Sequence, residues 1–225
     1  MANGSQRSGA SIKQEREAQR NEKVEAFKRQ RAIEKRNRRI GIISAIVGGV
    51  AVITLLVFVI VSSFKPPVDP ESISIEGLEK FTVQGGNHVN GAVDYEALYG
   101  MTPPAGGDHA QPWLNCGIYD QPVPNERAVH ALEHGAVWVT YDPEVVTGGE
   151  LDSLRSKLPS TYIVLSPFPG LPSPVVASAW GNQVQLDGAD DERLGDFIDK
   201  FWKAGDAPEI GAACSGQPDE PGLVG

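Results

Sequence analysis

Residues Ile40 to Phe64 (IGIISAIVGGVAVITLLVFVIVSSF) form an uninterrupted apolar run of 25 residues without a charge. At about 1.5 Å rise per residue the run reaches roughly 37 Å as a helix, enough to cross a hydrocarbon core of about 30 Å with some tilt. A cleaved signal peptide has a short basic start, a shorter apolar run and a small-residue cleavage site. Here 39 residues precede the run and no A-x-A pattern follows it. The run therefore reads as an uncleaved transmembrane helix over 40–64.

Charge then orients the span. Arg31, Lys35, Arg36, Arg38 and Arg39 crowd its N-terminal side, while Lys65 alone follows before Pro66 and Pro67. Basic residues stay on the cytoplasmic side, so the expectation is a single-pass cell-membrane protein with 1–39 inside and the rest extracytoplasmic. The bilayer is the first partner this predicts. Residues 1–39 hold 12 of the 20 basic and 5 of the 29 acidic residues, which leaves the remainder at −16. Nucleic-acid binding needs a basic footprint, and this acidic body lacks one. Residues 11–39 read as a solvated charged helix, with Glu25–Arg29 and Glu34–Arg38 at i,i+4 spacing.

Beyond the span, 65–80 reads as a linker, with one short strand placed between Ile73 and Val83. Residues 81–225 read as one extracytoplasmic domain. Gly85 to Trp113 is rich in Gly and Pro and reads mostly as loop, and long loops in compact domains are often functional. A helix is expected from an Asn125 N-cap to His134, stopped by Gly135. Strands follow at 136–141 and 162–166, separated by a helix at 150–158. A hairpin at 175–180 and 183–186 turns at Gly181-Asn182, and an amphipathic helix closes the order at 190–204. The fold class is α+β: a small mixed sheet with flanking helices, compatible with a thioredoxin-like arrangement. The chain has no C-x-x-C, which excludes redox chemistry of that type. Its two cysteines, Cys116 and Cys214, both lie in the outward part. An oxidising compartment favours a disulfide between them, with free thiols or metal ligation as the alternatives.

All four histidines, His88, His109, His130 and His134, fall within one-quarter of the chain. His130 and His134 are i,i+4 on the expected helix and share a face, which suits two ligands on one ion. His88 and His109 lie in loops able to close over it. Neutral imidazoles suit copper or zinc. His130-Ala-Leu-Glu133-His134 also matches the H-x-x-E-H pattern, in which a glutamate activates metal-bound water. Those enzymes need a longer helix than Gly135 allows. Glu133 is therefore a catalytic base only if the domain is an enzyme. Otherwise Glu126 and Glu133 cap the helix or orient imidazoles from behind. Met101 is a soft donor better explained by packing.

The segments NHV from Asn87, VDYEALYGMTPPAGGDH, GIYDQPVPNERAVHALEHGAVWVTY and SPFPGLPSPVVASAWG closely resemble the bacterial family called domain of unknown function 3105. The resemblance covers most of residues 80–205. Its pattern maps onto Pro103, Pro104, Gly106, His109, Gly117, Tyr119, Glu126, Val129, His130, Leu132, Glu133, His134, Gly135 and Val137. Ala105 stands where the family usually has Ser, and Gly107-Asp108 precedes the histidine; neither change removes a candidate ligand. The resemblance implies a single-pass anchored protein with an outward domain and no established activity. Three functions remain in view: a domain binding copper or zinc through the His cluster, a metal-dependent hydrolase or oxidoreductase of the envelope, and an accessory subunit of an envelope complex whose histidines only hydrogen-bond.

Overall fold

The structure is a computed structural model that describes residues 9–63, 69–218 and 220–224. The end of the apolar run at Phe64 and the start of the expected linker lie outside the described residues. The chain divides into two compact units, Met1–Pro66 and Pro67–Gly225.

The first unit is one helix, α1 (Gly9–Ser63), in which the charged and apolar stretches run on without a break. It is long and apolar enough to cross a membrane, and its described side chains are exposed. Arg31 lies over the Phe27 ring at 4.6 Å, and Glu25 pairs with Lys28 rather than with Arg29.

The second unit is the expected α+β domain. Its centre is β5 (Val137–Tyr141), α4 (Gly148–Ser156), β6 (Ile163–Pro167), β7 (Val175–Ala179), β8 (Asn182–Leu186) and α5 (Arg193–Phe201). Strand β5 pairs in parallel with β6 and antiparallel with β7, and β7 pairs antiparallel with β8. The four central strands thus lie in the order β8-β7-β5-β6. β1 (Glu79–Lys80) extends it at one edge and β4 (Gly117–Ile118) at the other.

Every residue of β5, β6 and β7 is buried because both faces of the sheet are covered. Alternation sorts the side chains. Val137, Val139, Ile163 and Leu165 pack with Leu154 of α4 and with Leu194, Phe197, Ile198 and Phe201 of α5. Each such burial contributes roughly 1.5–3 kcal/mol. Trp138 and Val164 point the other way, against Val129 and Leu132 of α3 (Asn125–Glu133).

Several boundaries differ from expectation. Asn125 is the first helical residue rather than the cap: Pro124, its φ fixed near −62°, precedes it, and no side chain caps the helix. Gly135 does stop α3, at φ +89°, and a Cβ there would meet Lys203 Cα at 3.3 Å. The hairpin turns at Trp180-Gly181, one residue earlier than read, because Asn182 already pairs with Ala179. Helix α5 is shorter than 190–204, its start set by Asp191, which accepts the Arg193 backbone N–H at 3.0 Å. Ile75, in the stretch read as linker, packs into the core. The Gly-rich segment contains β2 (His88–Val89), helix α2 (Tyr95–Tyr99) and β3 (His109–Ala110).

Candidate metal centre

β2 and β3 are parallel neighbours in which His88 faces His109 in register. Asp108 holds that register. Its Oδ1 accepts the backbone N–H of Gly86 at 3.1 Å, that of Asn87 at 2.9 Å and the Asn87 side-chain amide at 3.0 Å. These bonds, the Asn87 backbone foremost, hold the Asp108 carboxyl below the usual carboxylate range. The Tyr95 hydroxyl donates to the Asp108 carbonyl at 2.8 Å, and Asp108 N–H donates to the Tyr99 hydroxyl at 3.2 Å. Gly107, at φ +107°, lets this loop pass the Tyr99 ring, which a Cβ would strike at 2.6 Å.

β3 runs along α3, and three histidines donate from Nδ1 to backbone carbonyls: His109 to Gly107 at 2.9 Å, His130 to Ala110 at 2.8 Å and His134 to Ala213 at 2.6 Å. A carbonyl only accepts, so Nδ1 carries the hydrogen in each, and Nε2 is the position whose lone pair serves a ligand when the ring is uncharged. Burial first, and the neighbouring imidazoles of His134, His109 and His88 second, push His130 down to about 4, against its bond to Ala110. His130 is thus neutral at physiological pH.

Two of these lone pairs converge on Glu133, one turn along α3 from His130. Glu133 Oε2 lies 3.0 Å from His109 Nε2 and 4.0 Å from His130 Nε2. His109 is wholly buried and Glu133 is 7% exposed. At 3.0 Å His109 Nε2 still makes no hydrogen bond, so its polarity is uncompensated. His88 closes the group from the exposed side: its ring stacks on His130 at 4.9 Å and meets His109 edge-on at 5.0 Å. Ligand atoms of His88, His109, His130 and Glu133 all lie within 4.8 Å of one another. Lone pairs and a carboxylate packed this closely, three of the four residues buried, suit a cation between them. Carbonyls fixing the far nitrogens are the arrangement that orients imidazole ligands.

The other residues singled out from the sequence fall elsewhere. The His134 ring is 4.6 Å from that of His130, as a shared helical face requires, but its Nε2 faces Glu209 Oε2 at 3.6 Å and stands outside the group. Glu133 is among the converging atoms rather than behind them. Glu126 accepts the Val93 N–H at 2.9 Å and ties the loop after β2 to α3. Met101 is buried, its sulfur accepting the Ala105 N–H at 3.3 Å. Cys116 and Cys214 form a disulfide spanning 98 residues, with Cα atoms 5.3 Å apart, so neither thiolate is a ligand. Sequence reasoning missed Asp108, Trp113 and Glu209. Trp113 lies against both His130 and His134, with ring centroids at 5.9 and 5.3 Å.

Fold and site together define an α+β domain with a buried histidine–carboxylate cluster, in a chain that also carries a helix fit to cross a membrane. The chain belongs to the family described as Protein of unknown function (DUF3105), which matches residues 88–216, from the first histidine of the cluster to just beyond Cys214. No curated protein and no solved structure matches it.

Proposed function

We propose that this protein is a membrane-anchored, extracytoplasmic metal-binding protein that holds one zinc or copper ion through His88, His109, His130 and Glu133. The observation carrying this is the approach of the buried, unbonded His109 Nε2 to Glu133 Oε2 at 3.0 Å, with Nδ1 already committed to a carbonyl. Nitrogen and carboxylate donors without a thiolate suit zinc or copper(II) rather than copper(I). The charge asymmetry around the apolar run supports a cytoplasmic N-terminus, and the disulfide suits an oxidising compartment.

Exposure of His88 favours a second reading, a metal-dependent enzyme, because a solvent-facing edge leaves room for an exogenous ligand. Calorimetric titration of the full chain in detergent tests the primary reading. Wild type takes up one tight equivalent of zinc or copper(II). His109→Ala and Glu133→Gln each weaken it by about 10–100-fold or more. Wild-type affinity in both variants contradicts the ligand set.

A further inference from the structure

His134 is left over from the group around Glu133, and its surroundings repeat that group's logic with fewer donors. The side chain is 3% exposed. Its Nδ1–H donates to the Ala213 carbonyl, which leaves Nε2 as the ring nitrogen able to act as a ligand. Its polar neighbour is Glu209 Oε2 at 3.6 Å, beyond hydrogen-bond reach. Glu209 is 59% exposed and has no other ion pair among the described residues. The segment carrying it is pinned to the end of α3: Glu209 N–H donates to the Glu133 carbonyl and Gly211 N–H to the His134 carbonyl, both at 3.0 Å. These bonds fix the Glu209 backbone beside the end of α3, and from there its solvent-exposed carboxylate reaches to 3.6 Å from the imidazole.

We propose that His134 and Glu209 form a second, weaker cation site that passes zinc or copper(II) between solvent and the buried group. This rests on reading that group as a metal centre. Two donors are too few to retain an ion against water, and a stepping site must release what it takes. One donor is exposed and anionic, and the other is buried beside a ligand of the centre. The ion changes neither charge nor oxidation state on the way. A stepping site lowers the barrier to entry and exit equally, so its loss slows both rates and leaves the equilibrium alone.

The test is stopped-flow zinc loading of the full chain in detergent, and zinc release to a coloured chelator. Glu209→Gln is a surface change that keeps the backbone bonds, and His134→Gln removes the buried donor. Both variants should load and release roughly tenfold more slowly, with affinity unchanged within about threefold. Wild-type rates in Glu209→Gln overturn the proposal and place entry on the His88 side. An affinity loss in His134→Gln as large as that in His109→Ala also overturns it, since His134 is then a ligand of the centre. A wild-type chain that binds no zinc overturns the metal reading itself, and this step with it.

Discussion

At the scale of single residues, Asp108 organises the candidate centre as much as any histidine. Its one oxygen gathers three N–H groups from Gly86 and Asn87, which fixes His88 opposite His109. Asp108→Ala should free the β2 loop. Electron paramagnetic resonance of the copper(II) form should then report one fewer coordinated nitrogen, with affinity down by about tenfold or more. An unchanged nitrogen count shows that His88 does not depend on Asp108. Asp191 supplies a pH test away from the centre. Its hydrogen bonds to Arg193, largest among the causes, pull its carboxyl down to about 2. A depressed carboxyl stabilises the fold above its ordinary value near 4, and that contribution is lost as pH falls toward 2. Solvent screening limits it to on the order of 1 kcal/mol. Melting curves of wild type and Arg193→Ala should therefore differ at neutral pH and converge at the acid end of that window. The histidine cluster was legible because all four imidazoles share one quarter of the chain. Which nitrogen faces what was not, because Ala213, which takes the His134 Nδ1 hydrogen, lies 79 residues away. Local spacing carries no information about such a contact.

At the scale of elements, the apolar periodicities of β5, β6, the β7–β8 hairpin and α5 were readable because each buries a continuous stripe or run. β2 and β3 were not, since two-residue strands have no period, and their pairing depends on the Asp108 side chain. Within α5, Phe197 is fully buried against the sheet. Phe197→Ala should cost about 3–5 kcal/mol in chemical denaturation, and a cost under about 1 kcal/mol contradicts the packing described. The C-terminal segment is held by the disulfide and by paired bonds between Asn115 and Gln217, at 2.7 and 3.0 Å. Opening a loop of this length releases roughly 4–5 kcal/mol of unfolded-state constraint. Cys116→Ser with Cys214→Ser should lower the melting temperature accordingly. Two alkylatable thiols in the native wild type contradict the bridge.

At the scale of the whole molecule, composition was most informative where physics leaves least choice. The described part of the apolar run lies in α1, a helix long and apolar enough to cross a membrane. The positive-inside asymmetry predicts that protease added to spheroplasts removes residues beyond 65 and spares 1–39. A protected C-terminal domain reverses the orientation. The chain beyond residue 39, at −16, should bring cations toward the donors of the second unit. Chemistry, by contrast, was not legible, since a cluster of metal-binding residue types points to an ion before it points to any reaction. The central claim meets its most direct test in elemental analysis of the full chain, incubated with zinc or copper(II) and desalted. One equivalent of metal per chain, lost in His109→Ala, is the predicted result. A wild-type chain free of transition metal after both incubations contradicts it and leaves the four histidines as a hydrogen-bonded structural cluster.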